Sequence, residues 1–395
     1  MDGAPPSLVR DAIETGTSLP GTAGFAGVID GCLVRDVLGR RPLFVETGDA
    51  RQWAFDPREL ADPVAVGAGT VRSRGEPCES AERRWRLPAP DPATDDDRAL
   101  AAVREAVLER TRGVGRETEG GSDADADAAV GATGADDVAV AFSGGVDSGV
   151  VAAGVPDAPC YVAGFEGCHD VAAAREAAAA MDRELRVVEL THDDLREAIP
   201  VLVDALGRTN PMDLSIALPL YLVGERAAAD GYERLAVGQG ADELFGGYAK
   251  VAKAPEDPRV DADTVRGARR EVLATLPEQA ARDVLATRAA GVEPVAPLLY
   301  DDVVRAALRL PGHLLVERAD GGNESGRRRK VALREAARGV VPDAVRTADK
   351  KAVQYGTYVS RELDRLARRA GFKRRMDDHV ERYVRSLAGV ETGET

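Results

Sequence analysis

Residues 138–151 read VAVAFSGGVDSGVV. Five apolar residues have the length of a buried strand, then stop on two glycines that lead to an acid and a hydroxyl. In an open parallel sheet, ligands lie beyond the carboxyl ends of the strands, where this run stops. Gly144 and Gly145 carry no side chain, so the backbone can curl with its N–H groups toward an anion. A helix after Ser148 adds its positive end. Ser143 and Ser148 can donate hydroxyl hydrogen bonds to phosphate oxygens. Asp147 has the wrong sign for a phosphate cradle alone, but it suits Mg²⁺, which binds one or two carboxylates together with phosphates. The alternative is a strand-to-helix turn whose glycines serve packing only. No lysine follows the glycines, so this is not the Gly-x-x-x-x-Gly-Lys-Ser/Thr loop.

A second stretch, AVGQGADELFGGY (236–248), also ends an apolar run on glycines. Gly238 and Gly240 permit close backbone approach, and Asp242 adds a carboxylate that can share a Mg²⁺ with Asp147. A solvated acidic helix start is the alternative, since acids favour that position anyway.

Outward from these stretches, strands and helices alternate. VAVAF, CYVAGFEG (160–167), LRVVEL (185–190) and RLAVGQG (234–240) read as strands. DVAAAREAAAAM (170–181) and SIALPLYLVGERAAADG (215–231) read as helices. Alternation of this kind predicts a parallel, doubly wound α/β sheet. The chain from about 262 reads as mostly helical. Residues 20–75 read as short β segments punctuated by Gly, Pro and Asp. Residues 95–112 read as a helix on the spacing of Leu100, Val103, Val107 and Leu108. Residues 113–137, rich in Gly, Ala and Asp without periodicity, are expected to be a disordered acidic insertion.

Composition excludes several classes. No apolar run is long enough for a membrane span, and the first residues lack a secretory pattern, so cytoplasm is the expectation. The net charge is −15, and only six of the 52 basic residues are lysine (Lys250, Lys253, Lys330, Lys350, Lys351 and Lys373). Excess acid with scarce lysine reads as adaptation to high salt, and no basic stripe argues for a nucleic-acid partner. Cys32, Cys78, Cys160 and Cys168 form no CxxC pair, and His169, His192, His313 and His379 are scattered, so no zinc site or disulfide framework is indicated.

The two glycine-acid motifs together resemble the asparagine synthetase family of ATP pyrophosphatases, with an adenine nucleotide α-hydrolase-like domain. Further resemblances follow in order: HDVAAAREAA, PMDLSIALPLYL (211–222), GVEPVAPLLYDD (291–302), RKVALREA (329–336) and VVPDAVRTADKKAVQYG (340–356). The resemblance covers residues 136 to about 360. It implies that ATP activates a carboxylate, L-aspartate above all, as an acyl-adenylate, which ammonia then attacks. Carried over, Ser143, Gly144, Gly145, Asp147 and Ser148 would cradle the pyrophosphate. Phe165, Gly238 and Gly240 would lie at the nucleotide. Asp147 and Asp242 would hold Mg²⁺. Lys350, or Lys351 if the register slips by one, would be the catalytic lysine, neutralising charge on the phosphates. Gln239 stands where many bacterial members carry Glu. Ser215 and Val295 stand where those members carry arginines. A different carboxylate therefore stays open as substrate, as does a non-catalytic nucleotide-binding regulator.

Residues 24–46 resemble the later strands of the family's glutaminase domain, but Met1 is followed by Asp2 rather than Cys. The expectation is a truncated β-rich relic over residues 1–90, a connecting helix over 91–112, and the synthetase domain over 138–395. Nitrogen would come from free ammonia or a separate glutaminase. A homodimer is admitted by the resemblance.

Overall fold

The computed structural model describes residues 1–73, 82–115, 137–254, 264–318, 327–348, 353–375 and 378–390. The N-terminal part forms seven short strands: β1 (Ala26–Ile29), β2 (Cys32–Arg35), β3 (Phe44–Glu46), β4 (Asp49–Ala54), β5 (Pro63–Ala65), β6 (Thr70–Ser73) and β7 (Glu82–Arg83). They build two antiparallel sheets, ordered β1-β2-β6-β7 and β4-β3-β5. Alternation along the strands splits their side chains between two cores. Ala26 and Leu33 face Val45 of the second sheet and Leu43 and Val66 at the ends of its strands. Phe25, Ile29 and Val34 face Val9 and Ala12 of the helix Pro6–Thr15, which the sequence pattern did not announce.

The remaining strands are β8 (Val138–Ala141), β9 (Cys160–Gly164), β10 (Leu185–Glu189), β11 (Arg234–Ala236), β12 (Glu293–Val295), and the hairpin pair β13 (Val316–Arg318) and β14 (Arg327–Arg329). The first five form one parallel sheet in the order β10-β9-β8-β11-β12. The doubly wound sheet is therefore present, with one more strand than the periodicity marks. β12 is an edge strand containing Pro294, where a missing N–H is tolerated and the apolar run is too short to read.

Continuous apolar runs suit strands covered on both faces. Val138 and Val140 of β8, with Cys160 and Val162 of β9, enter one core. Ala139, Tyr161 and Ala163 enter the other. The helices Asp96–Gly113, Val146–Gly154 and His169–Ala180 pack on the first face. The helices His192–Leu206 and Pro211–Ala229 pack on the second. Local signals fix their starts. Asp95 caps Arg98 N–H, Thr191 and Asp194 form a capping box, and Asn210 caps Met212 and Asp213 before Pro211 at the first turn.

Of the expected insertion at 113–137, residues 116–136 lie outside the described residues. Asp137, at its end, pairs with Arg234 at 2.6 Å at the foot of β11. No described helix is long and apolar enough to cross a membrane.

Candidate active site

Strand order brings the two glycine motifs together. β8 continues to β9 and β10 on one side, while β11 and β12 lie on the other. The β8–β11 pair is thus the point where the winding reverses, and a crevice opens beyond it. A cavity of about 500 Å³ occupies this place, lined by Ser143, Gly145, Asp147, Ser148, Gly238, Gln239 and Asp242 among others.

The SGGVDS loop has the shape the sequence requires. Gly144 has φ 76°, and a Cβ there would come within 2.6 Å of the Ala173 carbonyl oxygen. Gly145 is the N-cap of the helix Val146–Gly154, and no side chain among the described residues caps its first N–H groups. Those donors remain for an anion. Ser143 N–H donates to Ser148 Oγ at 3.1 Å, and the two hydroxyl oxygens lie 3.2 Å apart. The hydroxyls therefore hold the loop closed on itself.

The two loops touch directly. A Cβ on Gly238 would sit 3.0 Å from Asp147 Cβ. Gly238 thus serves the close approach of the loops as well as the cavity wall. Gly240, at φ 90°, starts the short helix Ala241–Phe245 and packs against Leu299. It lines a second cavity of about 210 Å³ rather than the larger one. Gly144 and Phe165 are not among the lining residues of the larger cavity. Phe165 N–H donates to the Thr357 carbonyl, and its ring lies 5.8 Å from that of His192.

The expected metal ligands, Asp147 and Asp242, converge on Lys330, which the sequence presents only inside the RKVALREA stretch. Lys330 Nζ lies 2.6 Å from Asp147 Oδ2 and 2.7 Å from Asp242 Oδ1. Burial alone would lower the Lys330 pKa, but the charges of Asp147 and Asp242 more than reverse this and raise it. The available signal was compositional: Lys330 is one of six lysines, at the head of KVALREA. Among the described residues no group of three or more His, Cys, Asp or Glu is placed to hold a metal. Two carboxylates still fit Mg²⁺ when phosphates supply further oxygens. Among the described residues, none hydrogen-bonds Asp147 Oδ1, which is shielded from solvent, and a cation would answer it.

Lys350 and Lys351 lie outside the described residues. Gln239 lines both cavities, together with Glu243, Gln279 and Asp283. Glu243 is buried and accepts from Tyr248 Oη at 2.6 Å. Burial, then the neighbouring Asp242 and Asp283, push its pKa up. Ser215 is buried, its hydroxyl donating to the Pro211 carbonyl at 2.6 Å. Val295 lines the second cavity, beside Arg40 and Arg41 of the N-terminal layer.

The asparagine synthase family profile matches residues 127–271 and 250–386. A Methanocaldococcus jannaschii protein, provisionally named asparagine synthetase (glutamine-hydrolyzing) 1, is 27% identical over 252 residues, covering 58% of this chain and 46% of its own length. The glutamine-hydrolyzing asparagine synthetase B of Escherichia coli is 26% identical over 196 residues, 50% of this chain and 34% of its own. The glutamine-hydrolyzing nodule asparagine synthetase of Pisum sativum is 27% identical over 181 residues, 45% and 29% respectively. Each match spans less than half of the relative's length. The profile and the geometry at the β8–β11 switch point agree: the chain belongs to the asparagine synthase family.

Proposed function

We propose that the chain is a carbon–nitrogen ligase that cleaves ATP to AMP and pyrophosphate, activating a carboxylate for attack by ammonia, with L-aspartate as the first candidate. The observation that carries this reading is the convergence of Asp147, Asp242 and Lys330 beside uncapped helix N–H groups. Ser143, Gly144, Gly145, Asp147 and Ser148 form the phosphate cradle, with the first N–H groups of the Val146–Gly154 helix aimed at the polyphosphate. Asp147 and Asp242 would hold Mg²⁺, which would supply charge neutralisation on the phosphates. Lys330 adds an ammonium at the same place. Lys350 or Lys351 neutralises the α-phosphate as the adenylate forms. Gly238 and Phe165 belong to the nucleotide side of the crevice. Gln239 can orient an incoming nitrogen nucleophile by hydrogen bonding but cannot take its proton.

A second reading keeps the adenylation and changes the acid. Ser215 and Val295, where bacterial relatives carry arginines, favour it: neither offers a charge to a substrate carboxylate. The N-terminal layer is, in our reading, a glutaminase-like β region that packs against the segment after β12 through Arg40 and Asp301. Cys32 lies inside β2, paired between Ile29 and Ser73. Nitrogen then comes from ammonia or a separate glutaminase, in a cytoplasmic protein adapted to high salt that admits a homodimer.

The test is pyrophosphate release by the purified chain with ATP, Mg²⁺ and ammonium in concentrated KCl, with and without L-aspartate, and with Asp147→Ala as control. Aspartate-dependent pyrophosphate with asparagine formed supports the leading reading. Turnover only with another carboxylate selects the second. Failure to bind ATP refutes both.

A further inference from the structure

The cavity holds its own cation. Lys330 reaches both carboxylates at hydrogen-bond distance, and its side chain is only 11% exposed. Three further features keep it there. Lys330 sits at φ 58°, a left-handed conformation unfavourable for a residue with a side chain; such strain collects at functional sites. A Cβ on Gly247 would overlap Asp242 Oδ1 and Lys330 Cε, so the bridge depends on a glycine. The neighbouring cation Arg329 is instead tied to a backbone carbonyl, that of Gly247.

This arrangement has an electrostatic consequence for metal entry. Two adjacent carboxylates repel unless a cation lies between them. Here the ammonium already fulfils that need. A divalent ion arriving alone would have to drive Lys330 off both carboxylates, leaving the ammonium nearly buried and unpaired. A polyphosphate changes the balance. It offers the ammonium new anionic partners at the SGGVDS loop, one residue group away from Asp147, and it brings oxygens that complete a Mg²⁺ shell.

Resting on the reading that this cavity takes ATP with Mg²⁺, we propose that Lys330 is an internal counter-cation that excludes divalent metal from Asp147 and Asp242 until a polyphosphate draws it away. Metal uptake is then conditional on nucleotide, and Lys330 exchanges carboxylates for phosphate as the site fills.

The experiment uses Mn²⁺ as probe, followed by water proton relaxation enhancement, which reports Mn²⁺ held on the macromolecule. Wild type is titrated alone and with the α,β-methylene analogue of ATP; Lys330→Met and Lys330→Met with Asp147→Asn are titrated alone. The expected result is that wild type without nucleotide binds Mn²⁺ at least about tenfold more weakly than Lys330→Met, whose two freed carboxylates form an open site. Asp147→Asn in the Lys330→Met background abolishes that uptake. Wild type gains one tight Mn²⁺ with the analogue. Equal Mn²⁺ affinity of wild type and Lys330→Met without nucleotide overturns the proposal, as does absence of uptake by a folded Lys330→Met. If Lys330→Met does not fold, Lys330→Gln takes its place in the same nucleotide-free comparison, and tight Mn²⁺ uptake by wild type without the analogue overturns the proposal by itself. Labelled-ATP dialysis and the pyrophosphate assay separately test the functional reading. Its failure there leaves the nucleotide-free comparison of wild type and Lys330→Met to judge the latch.

Discussion

Arg40 of the N-terminal layer places Nη1 2.8 Å from Asp301 Oδ1, with both side chains almost completely buried. Arg40 Nε also pairs with Asp36 at 2.8 Å, and Nη1 donates to the Leu299 carbonyl at 2.7 Å. Asp301 Oδ2 accepts from the N–H groups of Gly21 and Thr22 at 2.8 Å each. One arginine thus joins the β layer to the segment that follows β12. Arg40→Met leaves two buried carboxylates without their cation, and a loss of about 3–5 kcal/mol is expected. Urea unfolding followed by circular dichroism measures it. Adding Asp301→Asn to Arg40→Met should cost less than the two single losses combined, because the sites share one network. Strict additivity would show that the layers are not coupled through this pair.

Gly144→Ala should be harmful for two separable reasons. The residue has φ 76°, and an added Cβ would meet the Ala173 backbone. Gly207, at φ 62° with open space around its Cβ position, supplies the comparison. Gly207→Ala is expected to cost about 1 kcal/mol of strain only. Gly144→Ala must also move the loop off the His169–Ala180 helix, so ATP affinity should fall at least about tenfold. Equilibrium dialysis with labelled ATP checks this. Unchanged affinity would separate the loop from nucleotide binding.

How much of this was legible in the sequence depends on how local each signal is. The strands β8, β9, β10 and β11 announce themselves because buried parallel strands are continuous apolar runs. The SGGVDS loop is legible because only glycine fits at Gly144. β12 has three residues and a proline, and carries no period. The Pro6–Thr15 helix is ten residues long and gives only Val9 and Ala12 to the buried core, too sparse a stripe to read at the start of a chain. Lys330 was hidden for another reason. Its meaning lies in meeting Asp147 and Asp242, which stand 183 and 88 residues away in sequence. Such a meeting follows from sheet order, which periodicity does not supply. The second cavity is similarly invisible, because its walls come from the N-terminal layer and from β12 together.

Glu362 gives the protein an acid-sensitive fastening. Its side chain is 3% exposed, and it pairs with His192 at 2.8 Å, Arg361 at 2.9 Å and Arg365 at 3.0 Å. Burial would raise its pKa, but the bonds from His192 and Arg361 and the charges of Arg365 and Arg361 more than reverse that and lower it. A carboxylate depressed in the folded state stabilises above its unfolded pKa, about 4.3 for Glu. That contribution is lost as pH falls through the folded value. Glu362→Gln should cost about 1–3 kcal/mol at pH 7, and the gap to wild type should narrow as pH drops below about 4. Paired urea titrations at the two pH values decide it. A gap that stays constant would assign the cost to packing.

Glu243 works in the opposite sense. Its pKa is raised by burial and by Asp242 and Asp283, so the folded state disfavours its charged form. An acid raised on folding contributes its full stability below the unfolded pKa and loses it as pH rises through the folded value. Glu243→Gln keeps an acceptor for the Tyr248 hydroxyl, now 2.6 Å from Glu243 Oε1, and removes the buried charge. The variant should therefore be equal to wild type near pH 4 and more stable by about 1 kcal/mol or more at pH 8. A variant no more stable than wild type at pH 8 would show that the surroundings of Glu243 already compensate its buried charge.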